Sequence, residues 1–147
     1  MKSKKVAEYR CAHCGRPIKG ATHTVPGIGT LGPHCYTKFA AYGRVLEAYD
    51  AEDLFITGEM KVREGEGPDR TRQMHALLER LKKGGVHYHV EHGRDAVTQE
   101  PYVIVRIKGF PRKQRARRRV LDVWTEWAKE IERRDIERKF GFGEVEK

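Results

Sequence analysis

Apolar positions in this chain fall in short periodic runs separated by glycine-, proline- and charge-rich stretches, and the period of each run names an element. Between Cys35 and Tyr49, the residues Tyr36, Phe39, Ala40, Gly43 and Leu46 recur at helical spacing and predict a helix with one buried face. Leu54, Ile56, Met60 and Val62 alternate with Phe55, Thr57, Glu59, Lys61 and Arg63, which predicts a strand with Gly58 as a bulge. Glu64-Gly65-Glu66-Gly67-Pro68-Asp69 is a turn. Met74, Leu77, Leu78 and Leu81 then mark a helix with Lys82 and Lys83 in its last turn and Gly84-Gly85 as its stop.

Val86, Tyr88 and Val90 alternate with His87, His89 and Glu91; Val103, Val105 and Ile107 alternate with Ile104, Arg106 and Lys108. These runs predict an antiparallel hairpin with its loop near 93–100. Pro111 suits the first turn of a long final helix whose buried stripe is Ala116, Val120, Trp124, Trp127 and Ile131. The expected fold class is α+β: a cysteine-bearing module and helix, then a β-α-β-β-α unit with a small antiparallel sheet and a long C-terminal helix. The boundaries read as a flexible basic arm at 1–8, a metal-binding module with its helix at 9–50, an α+β domain at 51–140 and a tail at 141–147.

At 147 residues the chain has the length of one ordinary domain or two very small ones. No apolar run is long enough to cross a bilayer, and no apolar stretch follows the basic start Met1-Lys2-Ser3-Lys4-Lys5. A cytoplasmic protein with no membrane partner is the expectation. The 3 cysteines cannot all pair, and Cys11-x2-Cys14 in such a chain points to metal or redox chemistry rather than a structural disulfide.

Residues 9–35 hold many glycines and prolines and little apolar content, so this segment needs a staple. Cys11-Ala12-His13-Cys14-Gly15-Arg16 has the spacing of a zinc knuckle, in which two thiolates three apart turn toward one ion. Cys35 follows Gly32-Pro33-His34 and opens a helix, where free backbone N–H groups help hold a thiolate. Three thiolates and one imidazole make a structural Zn2+ set. His23, between the two halves of the site, is the favoured fourth ligand. His34 and His13 are the alternatives, each beside a cysteine whose side chain competes for the same position. The alternative to a metal is three reduced, buried thiols.

Cys11-x2-Cys14-Gly15-Arg16-Pro17-Ile18 followed by Gly29-x2-Gly32-Pro33-x-Cys35 resembles a small zinc-finger module recurring in phage-encoded and bacterial proteins of mostly unknown function. The resemblance covers about the first quarter of the chain. It implies a mobile-element setting and a small metal-stapled fold, and it implies no activity; the knuckle itself reads as treble-clef-like.

Charge changes the picture most. The net charge is +9, and residues 101–119 carry 8 basic and no acidic side chains. Cations at the start of a helix oppose its macrodipole, and like charges at i,i+4 add to the cost, so six in the nine residues from Pro111 to Arg119 violate a local rule repeatedly. A polyanion resolves that conflict, because phosphates meet both the guanidinium groups and the free N–H groups. The candidate nucleic-acid-binding residues are Arg112, Lys113, Arg115, Arg118 and Arg119, extended by Arg106 and Lys108 on the preceding strand. The plain alternative is a solvated helix face.

Other motifs are weaker. Gly27-Ile28-Gly29-Thr30-Leu31-Gly32 matches a dinucleotide-binding pattern, but no apolar strand precedes it. His87, His89 and Glu91 would share one strand face, as a polar surface or a second metal site. Glu59-Met60-Lys61, with Asp53 or Asp69, could be a fragment of a metal-dependent nuclease. The expected function is therefore a non-enzymatic, zinc-stabilised nucleic-acid-binding protein. A small regulator docking on an acidic protein surface, such as that of RNA polymerase or a defence nuclease, is the alternative, and a nuclease is the third reading.

Overall fold

The helix and strand periods resolve into two small antiparallel sheets and a set of helices. The computed structural model describes residues 10–140; the expected arm at 1–8 and tail at 141–147 lie outside the described residues. The elements are β1 (His23–Val25), β2 (Gly29–Leu31), α1 (Pro33–Tyr36), α2 (Ala40–Ala48), α3 (Glu52–Ile56), β3 (Glu59–Arg63), α4 (Pro68–Lys83), β4 (His87–Arg94), β5 (Pro101–Gly109) and α5 (Gln114–Phe140). The class is α+β, as the patterning predicts.

The helix expected from Cys35 to Tyr49 is present in three pieces, α1, a 3-10 turn at Thr37–Phe39 and α2. Its buried face is rotated from the expected one. Cys35, Phe39, Tyr42 and Leu46 point inward at i, i+4, i+7 and i+11, while Ala40 is exposed. The strand expected from Leu54 is a correction. Glu52 and Asp53 stand in the first turn of α3, where acidic groups complement the helix dipole. Leu54 is fully buried and Ile56 is 68% exposed, so two residues that would share a strand face sit on different sides of a helical turn. Gly58 separates α3 from β3 instead of forming a bulge.

The larger sheet has the order β3-β5-β4, with both pairings antiparallel. Its register places Met60 opposite Val105, and Val105 opposite Val90. Met60, Val62, Val90, Val103, Val105 and Ile107 therefore face the helices. Glu59, Lys61, His89, Glu91, Arg106 and Lys108 occupy the outer face.

Helix α4 buries Met74, Leu77 and Leu81 and stops in a paired set of backbone bonds. The Val86 N–H donates to Leu81 O at 2.9 Å and the Gly85 N–H to Lys82 O at 3.2 Å. Trp124 of α5 is fully buried against this stop, and its Nε1–H donates to Gly84 O at 3.1 Å. A Cβ on Gly84 would lie 2.6 Å from the indole, so only glycine permits the contact. The Trp124 ring also meets Tyr42 edge-on at 4.9 Å and Trp127 at 5.0 Å. Buried residues from Cys11 to Trp124 form one connected cluster that helices on both sides of residue 50 share.

Helix α5 begins at Gln114, three residues later than Pro111 suggests. Phe110 is buried against Tyr42 and Phe39, which fixes the chain before the helix. The carbonyls of Pro111 and Arg112 accept from the Arg117 guanidinium, and the first helical N–H of this turn, that of Arg117, goes to Lys113 O at 2.9 Å. Arg112 and Lys113 thus stand just ahead of α5. Beyond Ile131 the described helix positions are exposed.

Candidate metal centre and the basic surface beside it

A tight loop brings the first two cysteines together. Arg10 and Pro17 form an antiparallel bridge, the Cys11 N–H donates to Arg16 O at 2.9 Å, and the Gly15 N–H donates to Cys11 O at 2.8 Å. The β1–β2 hairpin, absent from the sequence reading, docks on this loop through the Ala12 N–H and Thr30 O at 2.8 Å. Its signal was the Pro26-Gly27 pair between Thr24-Val25 and Thr30-Leu31. Strand β2 leads directly through Gly32 into α1, which carries Cys35 back to the loop.

The sulfurs of Cys11, Cys14 and Cys35 lie within 4.8 Å of one another. Three thiolates on one ion at about 2.3 Å would be about 3.8 Å apart, so the three cysteines could hold a metal ion with only a small contraction. Burial pushes the Cys11 thiol up, but backbone N–H groups of Cys14, Gly32 and His13 outweigh it and bring its pKa down to about 6. Burial, with the neighbouring Cys14 and Cys11, pushes Cys35 up to about 12. Without an ion, then, this cluster favours one thiolate and penalises three. A cation at its centre removes that penalty.

The histidines are arranged differently from the expectation. His23 is outside the cluster: its ring stacks on Tyr36 at 4.2 Å with the planes 13° apart. His13 turns edge-on to Phe39 at 5.7 Å, with Nδ1 buried and without a hydrogen-bond partner. Burial lowers its pKa, and Lys38, Arg117 and Arg118 lower it further. His34 lines the same hollow as the three cysteines, a space of about 290 Å³ that also carries Arg16 and Lys19 on its wall.

The cysteine cluster and the start of α5 adjoin. Arg117, which the sequence reading left out of the site, is half-buried and reaches three carbonyls: Pro111 O at 3.1 Å, Arg112 O at 3.4 Å and Ala12 O of the knuckle at 3.4 Å. Its spacing to Leu121 and Trp124 was the available signal, since i, i+4 and i+7 share a helix face. Around it, Arg112, Lys113, Arg115, Arg118 and Arg119 are exposed. Among the described residues none of these five forms an ion pair.

Arg106 is the exception in the expected set. On the outer sheet face it is held by Glu59 from β3 and Glu91 from β4, and the Arg106 hydrogen bond keeps the Glu91 carboxyl below its usual range. Its charge is neutralised within the fold, whereas Lys108, two residues further along β5, is exposed and lines a hollow with Arg112 and Arg117. The same arrangement occupies Glu59 of the nuclease-like triplet, whose Lys61 instead lies over the Tyr102 ring at 4.2 Å. Asp69 pairs with Arg72 at 2.6 Å. His87, His89 and His92 join no metal-ligating cluster among the described residues.

No protein-family model, curated protein or solved structure matches the chain. Among the described residues, no helix is long and apolar enough to cross a membrane.

Proposed function

We propose that this protein is a zinc-stabilised nucleic-acid-binding protein that grips a phosphate backbone with the start of α5 and performs no catalytic step. The reading is carried by the exposed cations Arg112, Lys113, Arg115, Arg118 and Arg119, none of which forms an ion pair among the described residues, although Asp122 stands three and four positions from Arg119 and Arg118. Clustered positive charge without internal partners is rewarded by a polyanion, which releases its condensed counterions on contact. Arginine predominates, and its planar fork suits phosphate oxygens and guanine edges.

Zinc is the ion of choice for three thiolates in a tight loop-and-helix setting. Cys11, Cys14 and Cys35 hold it, and His34, on the wall of the same hollow but with its ring outside the cluster of the three sulfurs, is the candidate for the fourth position. The ion supplies folding energy, and through Ala12 and Arg117 it fixes the knuckle against the helix that bears the arginines.

Binding to random duplex and single strands, followed by gel shift at ~100 mM salt, tests the reading. The slope of log K against log salt should be about −0.9 for each duplex phosphate neutralised. Absence of binding, together with capture of an acidic protein from nuclease-treated lysate, would replace nucleic acid with a protein partner.

A further inference from the structure

Beside the start of α5 a second hollow, of about 500 Å³, opens between the β1–β2 turn, the end of β5 and the loop before the helix. Three separate segments bring basic groups to its wall: His87 opens β4, Lys108 stands one residue before the end of β5, and Arg112 and Arg117 flank the helix start. No carboxylate lines it. Lys108 and Arg112 are exposed and form no ion pair among the described residues.

Arg117 makes this more than a patch of surface charge. Its three hydrogen bonds all go to neutral carbonyls, so the guanidinium is fixed in place while its full charge stays uncompensated. Half-buried, that charge is less fully hydrated than those of its exposed neighbours, and an anion beside it is favoured. Two of its five N–H donors remain after those bonds. The walls are equally fixed. A Cβ on Gly27, whose φ is +89°, would meet the Gly109 Cα at 2.9 Å, so the two backbones touch and the floor cannot close or widen without breaking that contact.

We infer that this hollow is a phosphate-binding subsite, which seats one backbone phosphate of a bound polynucleotide. The polynucleotide as its source rests on the proposed function; the affinity for a phosphate group does not. Fixed donors around a rigid hollow favour a compact, multiply charged oxyanion over chloride.

The test uses the full zinc-loaded chain and inorganic phosphate at constant ionic strength. Nuclear magnetic resonance should show saturable shifts at the Arg117 Nε–H and at the Gly27 and Gly109 amides, weakened at least tenfold in Lys108→Gln/Arg112→Gln. Both substituted residues are exposed, so the variant's melting temperature should be unchanged. A short single strand should shift the same signals, and phosphate should compete with it. Diffuse, unsaturable shifts with phosphate overturn the subsite, and if gel-shift binding persists the nucleic-acid reading survives it. Saturation by phosphate with no binding of any polynucleotide keeps the subsite and overturns the nucleic-acid reading.

Discussion

Helix α5 starts with Arg115, Arg117, Arg118 and Arg119 and meets no carboxylate until Asp122. From Glu126 onward each of its cations has an acidic residue three or four positions away, and the geometry uses most of them. Lys129 reaches Glu126, Arg133 and Arg134 reach Glu130, and Arg138 reaches Asp135. The last turn also carries Arg138 and Lys139, where the dipole favours cations, while the first turn has no acidic residue where it favours anions. The far end obeys every local rule of an isolated helix and projects from the core on its own ion pairs. The near end breaks those rules beside the cluster of three cysteines. The two ends therefore differ in whether the fold pairs its own charge, and the proposed function rests on that difference.

Removing the metal should have the largest effect on this contrast. Chelation, or Cys35→Ser, should lower the melting temperature by ~10 °C or more, because the metal's binding energy is folding energy for a segment with little core of its own. Hydrogen exchange should then rise at the knuckle and the first turns of α5 while the far end is unchanged; equal loosening at both ends would deny the metal its local role. Next in size, reversal of Arg112, Arg115 and Arg119 to glutamate should weaken nucleic-acid binding by about a hundredfold or more and flatten its salt slope. Neutralising Arg133, Arg134 and Arg138 to glutamine should change affinity by less than about threefold. If the two sets act alike, the distinction between the ends is wrong. Gly84→Ala drives a methyl into the Trp124 ring and should cost about 1–3 kcal/mol in denaturant unfolding, with binding intact in the folded fraction. Smallest, Glu130→Gln should cost only ~0.3–0.5 kcal/mol and leave affinity untouched.

Local periodicity served the reading best where one element sees one core. Met74, Leu77 and Leu81 on α4, and the alternation around Val90 and Val105, became the faces they predicted because each packs against a single layer. Leu54 and Ile56 misled because two apolar residues spaced by one fit a strand as well as a short helix, and the acidic pair ahead of them decides for helix only through its dipole. The three cysteines were legible from spacing alone. The fourth ligand was not, since stacking of His23 on Tyr36 depends on how the hairpin lies over α1. Arg106 was invisible in the same way: Glu59, which neutralises it, is 47 residues away in sequence. No charge count over a window can contain that pair.

The middle strand of the larger sheet is the last one made. As the chain leaves the ribosome, β3 must wait with its apolar side uncovered until β5 has emerged, and β4 can pair with β5 only at the same late moment. The cysteine loop gains its final support only with the end of β5 and the start of α5, because Gly27 rests on Gly109 and Ala12 O accepts from Arg117. Assembly during translation is thus held back until β5 and the first turns of α5 as far as Trp124 are available, and a chain stalled before β5 would leave β3 and β4 unpaired and the thiol cluster half-built.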